Sequence, residues 1–311
     1  MVRGALDALT APWCPIVGDH DVLEKSLDSF RTFMSSETQC AFQIGHIRFL
    51  ALNAFQVPDP GSFAIFPDQI QWITRELDSL HESQIAVLLL HCYPSDLKVG
   101  GTELKRLVDR PEVRLIDMGH THYNEVANDG KTIYTATRST GQIEEGSVGF
   151  SVTNVDGPVV SWKFFPLGRL PALMITSPAD KRFITEQSAE LLVAKDEIKV
   201  RVKVWCTASV NHVVATLGAK AIRLANIPES QVWEGSFIED QLPPEGVHDL
   251  LVKMEDADGG TAEDVIHCVF GKSAYQATER KERDQDNALE AWPERGLLGT
   301  QLGPNKNGRK W

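Results

Sequence analysis

The sequence predicts a mixed α/β domain in its first half and an antiparallel all-β sandwich in its second half. In the first half, apolar segments of strand length alternate with segments whose apolar residues recur at helical spacing. In the second half, strand-like segments follow one another with turns between them and no long helical pattern. The pattern changes within 166–171, which reads Pro-Leu-Gly-Arg-Leu-Pro. We therefore predict an α/β domain over 1–166, a β-sandwich over 172–275, and a charged linker and tail over 276–311.

The first half of the sequence predicts a series of helices and strands that ends in antiparallel strands. Apolar runs bounded by turn residues predict strands, and an Asn-Asp-Gly turn at 128–130 predicts a hairpin. The predicted elements are the end of a helix at 3–11, a strand at 16–17, a helix at 21–33, strands at 41–44 and 47–52, a loop at 58–62, a helix at 66–83, a strand at 85–90, a helix at 102–109, and strands at 113–118, 123–127, 132–138, 147–154 and 159–165.

The second half shows its clearest strand at 198–204, where Ile and Val alternate strictly with Lys and Arg. Such alternation predicts one buried and one exposed face. Further strands are predicted at 213–217, 232–238, 247–254 and 265–270. This part resembles the immunoglobulin-like modules attached to bacterial hydrolases, which implies a substrate or partner module, although a structural spacer or lid is the favoured interpretation. Charged residues at 276–285 predict a solvated helix or linker, and 289–311 either lacks order or folds back as a strap.

Composition limits the classes of function. A net charge of −12 over 311 residues argues against a nucleic-acid or anionic membrane surface. No apolar run reaches the roughly 18 residues of a membrane span, and the first residues lead into no signal-peptide core, so we expect a cytoplasmic protein. Five cysteines at irregular spacing do not form a disulfide framework. Cys206 and Cys268 could pair, although reduced thiols are the favoured interpretation. Cys92 could be a ligand or a nucleophile, although a space-filling residue beside the site is the favoured interpretation.

Three apolar strand patterns are each followed by residues that can bind a metal. These are Gly-Asp-His-Asp at 18–21, His91, and Gly-His-Thr-His at 119–122. A strand that continued through the last motif would point His120 and His122 the same way, because alternate residues of a strand share a face. Imidazole and carboxylate are common ligands of divalent metals. The pattern therefore predicts a metal centre at the carboxyl edge of a sheet.

The order and spacing of these motifs resemble the later blocks of the calcineurin-like metallophosphoesterases, and most nearly the class III cyclic-nucleotide phosphodiesterases. The family pattern is Asp-x-His, Gly-Asp-x-x-Asp, Gly-Asn-His-Asp/Glu, His, then Gly-His-x-His. Residues 18–21 resemble the third block, His91 the fourth and 119–122 the fifth, while 68–73 resembles the family's Gln-x-x-Trp-Leu helix. The first two blocks are absent, and Asp19 stands where the family has Asn.

The resemblance implies an incomplete metallophosphoesterase-type layered α/β sandwich and a metal-dependent phosphoester hydrolase acting on a small molecule, with phosphodiesters favoured. It implies that one or two Mn, Fe or Zn ions are bound and that a metal-bound hydroxide is the nucleophile. The implied ligands are Asp19, His91, His120 and His122. His20 matches the general acid that protonates the leaving alkoxide. Arg138 is a candidate phosphate contact, although a surface role is the favoured interpretation.

The missing blocks leave alternatives open. The chain could begin at a misplaced start, be a fragment, or complete its exposed apolar sheet edge by forming a homo-oligomer, since an open edge invites pairing. The alternative function is a catalytically impaired remnant that serves as a metal-binding or partner-binding scaffold. Asp19 could also serve as the N-cap of the helix predicted at 21–33, a role that does not exclude metal binding.

Overall fold

The structure, a computed structural model, describes residues 2–55, 62–142, 144–192 and 196–300. It is a mixed α/β protein in which strands predominate and several sheets are antiparallel, and this confirms the coarse fold prediction. The predicted loop at 58–62 lies outside the described residues except for Ser62, as does the end of the predicted tail, 301–311.

The helices and strands are as follows. The helices are α1 (Val2–Leu6), α2 (Asp28–Phe33), α3 (Pro67–Asp78), α4 (Gly101–Val108) and α5 (Glu186–Leu192). The strands are β1 (Cys40–Ile44), β2 (Ile47–Ala51), β3 (Ile85–Leu89), β4 (Val113–Met118), β5 (Glu125–Asn128), β6 (Ile133–Ala136), β7 (Gly149–Asp156), β8 (Val159–Pro166), β9 (Ala172–Ser177), β10 (Glu197–Trp205), β11 (Val210–Leu217), β12 (Lys220–Arg223), β13 (Ala225–Asn226), β14 (Val232–Ile238), β15 (Gly246–Asp256) and β16 (Thr261–Phe270). No helix of the described residues is long and apolar enough to cross a membrane.

The chain divides into two compact units. Unit 1 comprises the described parts of 1–127, 134–138 and 281–288, and unit 2 comprises those of 128–133, 139–280 and 289–311. The hairpin of β7 and β8 therefore groups with unit 2, and a short piece from the far end of the chain groups with unit 1. The domain limits given above stay predictions.

Unit 1 is built on a mixed sheet in the order β1-β2-β3-β4-β6-β5. Strands β1 and β2 form the predicted hairpin, while β2, β3 and β4 run parallel. Leu50, Leu88 and Ile116, one from each of these parallel strands, are fully buried in the core of the unit. Since both faces of a parallel sheet are covered, its strands tend to be continuous apolar runs, which is why β3 was predictable.

The prediction of a helix over 21–33 is wrong for most of that range. Leu23 and Ser26 form an isolated bridge, and the two residues between them, Glu24 and Lys25, have φ values of 49° and 60°. A tight turn of this kind ends any helix, so only Asp28–Phe33 is helical. The predicted strand at 16–17 is also absent.

Unit 2 contains two four-stranded antiparallel sheets, in the orders β13-β14-β10-β9 and β12-β11-β15-β16, together with the hairpin of β7 and β8. The two larger sheets contribute to one apolar core, in which Val200, Phe237 and Val252 are fully buried. Strands β9, β12 and β13 were not predicted, because their short segments lack a clear alternation. The five thiols are all free, so Cys206 and Cys268 are not paired.

Residues 276–283 are exposed or partly exposed and form no helix, which fits the predicted solvated linker, whereas the chain after them is partly buried. A 3-10 turn spans Asp284–Asn287, and Asp284, which is only 7% exposed, accepts a hydrogen bond from the backbone N–H of Ser95. Trp292 and Leu297 are also buried. Between 289 and 300 the chain therefore folds back, which is the strap alternative.

Candidate metal centre

The parallel arrangement of β3 and β4 brings two of the sequence motifs together. His91 follows the end of β3, and Gly119 follows the end of β4. The carboxyl ends of parallel neighbours lie at one edge of a sheet, and here the backbone N–H of Gly119 donates to the carbonyl of His91 at 3.2 Å. This backbone hydrogen bond confirms the prediction that His91 and Gly119 lie at the same edge of the sheet.

The third motif reaches the same edge through a short 3-10 turn, Asp19–Asp21. The Asp21 carboxylate accepts a hydrogen bond from the Gly18 N–H at 2.9 Å and so fixes the turn. Asp19 then contacts His91 twice: its N–H donates to His91 Nε2 at 3.4 Å, and its Oδ1 lies 3.1 Å from the same nitrogen. This turn replaces the N-cap role considered for Asp19, because no long helix follows it.

Gly18 allows this close approach. A Cβ at this position would lie 3.0 Å from His91 Cε1 and 3.2 Å from His91 Nδ1. A side chain here would press on the imidazole ring and displace it by a few tenths of an ångström, so glycine favours the observed ring position.

His120 completes the group, although it is not part of a strand. Strand β4 ends at Met118, and His120 and His122 have φ values of 63° and 62°. Non-glycine residues in this left-handed region are strained, and such strain concentrates at functional sites. His120 Nδ1 lies 3.6 Å from Asp19 Oδ2, and this buried nitrogen has no hydrogen-bond partner among the described residues.

One donor atom each from Asp19, His91 and His120 lies within 4.8 Å of the others. Cations such as Zn²⁺ hold nitrogen and oxygen ligands at roughly 2.0–2.2 Å, which places neighbouring ligands about 3–3.5 Å apart. The separations of 3.1 Å and 3.6 Å between Asp19 and the two imidazoles fit this spacing. The donor set and the unsatisfied His120 nitrogen therefore fit a small divalent cation.

The carboxylate of this group is held in its ionised form. The contact with His120, followed by that with His91, lowers the pKa of Asp19 well below its usual range, against the opposing effect of burial. A permanently charged oxygen ligand beside two imidazoles suits Mn²⁺, Fe²⁺ or Zn²⁺.

Two phenylalanines that the motifs did not indicate pack against the imidazoles. The Phe63 ring lies 4.7 Å from that of His120 and 6.2 Å from that of His91, and Phe55 lies 5.7 Å from His91. Phe63 is 6% exposed and Phe55 is 1% exposed. The two rings form an apolar wall that limits water on one side of the donors. This role was not predicted, because neither phenylalanine lies next to one of the three motifs in the sequence.

The other predicted residues have different surroundings. His122 is not in the donor group; its ring stacks near that of the exposed His20, with centroids 6.3 Å apart. Arg138 is only 6% exposed, and its backbone N–H donates to Asn124 Oδ1 at 2.9 Å, so the surface alternative for Arg138 is wrong. Cys92 is buried beside His91 and is not in the donor group.

Another carboxyl group lies three residues before His120. Thr135 Oγ1 donates to Asp117 Oδ1 at 2.6 Å, and burial raises the pKa of Asp117 to about 6, against the lowering effect of this hydrogen bond and one from Met118. The strand prediction placed Asp117 in β4 but gave no reason to expect a shifted pKa, because the shift arises from burial.

No protein-family model matches the sequence, and no curated protein is significantly similar to it. Among solved structures, the chain is similar to the endo-beta-1,4-mannanase from Thermotoga petrophila at 12% identity and a TM-score of 0.27, with 60% of this chain and 47% of that chain covered. A Cellulomonas fimi endo-beta-1,4-mannanase double mutant gives 14% identity, a TM-score of 0.23, and coverage of 60% and 47%. The chain thus spans about half the length of these mannanases.

A superoxide reductase (neelaredoxin) from Ignicoccus hospitalis is similar at 12% identity and a TM-score of 0.23, with 32% of this chain and 81% of that chain covered. At such TM-scores these similarities support no statement about the fold or the activity of this chain.

Proposed function

We propose that this protein is a metal-dependent phosphoester hydrolase of the calcineurin-like metallophosphoesterase type, with phosphodiesters favoured as substrates. One observation carries the proposal: Asp19, His91 and His120, which come from three separate motifs, converge to within 4.8 Å. The resemblance was based on the order of those motifs along the chain. Their convergence at one sheet edge is what a shared site requires.

The finer fold assignment is part of the same proposal. A metallophosphoesterase-type α/β layer is supported by the parallel strands β2, β3 and β4, whose ends carry two of the motifs. An immunoglobulin-like sandwich is supported by the two four-stranded antiparallel sheets that share a core. The predicted homo-oligomer would cover the edge strand β1, where Ile44 is 55% exposed.

The three donors would hold one divalent cation. Asp19 contributes negative charge, and His91 and His120 contribute neutral nitrogen ligands, which leaves positions for substrate and water, as in other catalytic sites with three protein ligands. A cation bound there supplies Lewis-acid polarisation of a phosphoryl oxygen and activates water. Phe55 and Phe63 restrict solvent beside the imidazoles, which strengthens electrostatic interactions in the site.

His20 would act as the general acid. Its side chain is exposed, and its ring lies beside that of His122, which can restrain its orientation. An imidazole can carry a proton near neutral pH and deliver it to a leaving alkoxide. In this arrangement His122 positions the acid or, as the resemblance implies, binds a second cation.

The scaffold alternative also has support. Among the described residues, the group of Asp19, His91 and His120 is the one set of three potential ligands that lie together, and His122 is outside it. A chain that binds one cation but lacks the second ion of a two-metal site would hydrolyse phosphoesters slowly or not at all.

The test is hydrolysis of bis(p-nitrophenyl) phosphate by the full chain with added Mn²⁺. His120→Ala is compared with His46→Ala, which removes an exposed imidazole from the turn between β1 and β2. We expect the first variant to lose at least about 100-fold in activity and the second to match the native chain. Full activity in a metal-free preparation would refute the hydrolase proposal. Mn²⁺ binding that depends on His120, without hydrolysis, would instead support the scaffold.

A further inference from the structure

Two cysteines outside the metal centre lie within reach of each other. Cys14 Sγ and Cys40 Sγ are 3.3 Å apart, although 26 positions separate the residues in the chain. Cys14 lies in the segment that leads to the Gly-Asp-His-Asp motif, and Cys40 is the first residue of the edge strand β1. Both thiols are free and both residues are partly exposed.

The other cysteines differ from this pair. Cys92 and Cys268 are each 1% exposed, which shields them from reagents. Cys206 is partly exposed, but its thiol donates to the backbone carbonyl of Ala208 at 2.9 Å. Proximity to a second thiol together with exposure distinguishes Cys14 and Cys40.

The pair also lines a cavity of about 700 Å³ in unit 1. Trp13, Met34 and Phe42 provide apolar walls, and Arg3 adds a positive charge. A cavity of this size admits a small organic disulfide, and its apolar and cationic surfaces suit a reagent with an aliphatic body and a carboxylate.

We propose that Cys14 and Cys40 are a redox-active dithiol that forms a reversible intramolecular disulfide by exchange with low-molecular-weight disulfides. A disulfide has an S–S distance of about 2.05 Å, so the two sulfurs need to approach by roughly 1.2 Å from their separation of 3.3 Å. A shift of this size lies within the reach of side-chain rotation. The proposal is independent of the phosphoester hydrolase.

The exchange proceeds in two steps. In the first, the Cys40 thiolate attacks one sulfur of the reagent, the reagent S–S bond breaks, and one reagent thiolate leaves. In the second, Cys14 releases its proton to solvent and attacks the Cys40 sulfur, and the second reagent thiolate leaves. The two protein thiols lose two electrons and two protons, and one reagent disulfide becomes two thiols. Burial, with a further contribution from Cys40, raises the pKa of the Cys14 thiol to about 12, and the two steps balance equally when Cys14 attacks first.

The resulting link would tie the segment before the metal centre to β1. A covalent loop from Cys14 to Cys40 encloses Asp19 and all of α2, and it limits the freedom of this part of the unfolded chain.

The test uses the full chain equilibrated with mixtures of oxidised and reduced glutathione, then acid-quenched, alkylated and analysed by peptide mass spectrometry. The reduced chain has five cysteines to alkylate. Under oxidising mixtures we expect Cys14 and Cys40 alone to become protected, a peptide pair linked through these residues to appear, and dithiothreitol to reverse both changes. The oxidised chain should also melt at a higher temperature than the reduced chain.

Variants separate the two steps. Cys206→Ser should form the same linked pair as the native chain, whereas Cys14→Ser should stop at one glutathione adduct on Cys40. The native chain alone decides the matter if a variant fails to fold. Equal alkylation of all five cysteines across the glutathione series, or protection of both thiols by a bound soft metal ion detected in native mass spectra, would overturn the proposal.

Discussion

Asp19 Oδ1 lies 3.1 Å from His91 Nε2, although the two residues are 72 positions apart in the chain. The other carboxylate oxygen of Asp19 faces His120, so a single side chain connects both histidine motifs. This relationship makes Asp19 the residue on which the candidate metal centre depends most directly.

Replacement of Asp19 should therefore weaken metal binding in two distinguishable ways. Asp19→Asn keeps an oxygen ligand but removes its charge, and we expect Mn²⁺ affinity to fall about 10-fold; Asp19→Ala removes the ligand and should cost about 100-fold or more. Asp28→Ala, a charge-matched change at the exposed start of α2, is the control. Isothermal titration calorimetry gives the three affinities. Affinities equal to that of the native chain in both the Ala and Asn variants would show that the carboxylate oxygen is not a ligand.

Gly18 and Gly119 offer a paired test of the site's shape. A Cβ on Gly18 would meet the His91 ring at 3.0 Å, whereas the nearest atom to a Cβ on Gly119 is 3.7 Å away, which is ordinary van der Waals contact. We expect Gly18→Ala to displace the ring and weaken Mn²⁺ binding by roughly 10-fold, and Gly119→Ala to leave it nearly unchanged. The same calorimetric titration measures both. A similar loss in both variants would contradict the importance of ring contact at Gly18.

The sequence was sufficient to predict elements whose local pattern agrees with their environment. Strand β4 was predicted with its observed bounds because four of its six residues are apolar and the segment lies between Pro111 and Gly119. The helix α3 begins as predicted beside Pro67, but it ends at Asp78, several residues early. After Asp78 the backbone N–H of Gln84 donates to the carbonyl of His81 in a turn. This turn takes the place of further helix, and the spacing of apolar residues does not reveal it.

Three of the four predicted ligands lie together, but the geometry of the site was not predictable. Strand alternation placed His120 and His122 on one face, yet both residues adopt left-handed backbone conformations after the strand ends. His120 consequently joins Asp19, while His122 lies beside His20. Positive φ values at residues other than glycine depend on tertiary contacts, so a reading of residue types alone could not anticipate them.

Asp117 predicts a specific dependence of stability on pH. Its pKa rises from 3.8 to about 6 on folding, so between these values the folded chain binds more protons than the unfolded chain. The free energy of unfolding contributed by this group therefore falls as pH rises from about 4 to 6, by on the order of 2–3 kcal/mol. Asp117→Asn should remove this slope and stabilise the chain at pH 7, as measured by urea unfolding at several pH values.

Thr135 provides the control for this effect. Thr135→Val removes the hydroxyl that donates to Asp117, so the pKa of the carboxyl should rise further and the loss of stability should extend to higher pH. A slope between pH 4 and 6 that survives in Asp117→Asn would assign the dependence to another group.

Asp264 in unit 2 is a buried carboxylate on which two cations depend. Its side chain is 1% exposed and forms ion pairs with Lys163 Nζ at 2.9 Å and Arg295 Nη2 at 3.0 Å. The backbone N–H of Ile175 donates to it as well, at 2.8 Å. Burial lowers the pKa of Lys163, which shows how little solvent is available to replace the carboxylate.

Asp264→Ala should destabilise the protein by about 3–5 kcal/mol, because it leaves two buried cations without their common partner. Glu263→Ala is the matched control: this neighbouring residue pairs with Lys253 at 3.0 Å, but both side chains are more than 60% exposed. We expect the control to change the free energy of unfolding by less than about 1 kcal/mol, since exposed ion pairs contribute little. Urea unfolding followed by circular dichroism compares the two variants. If the two variants lose equal stability, the ion pairs of Asp264 with Lys163 and Arg295 do not stabilise unit 2 more than an exposed pair does, and the two cations must be solvated.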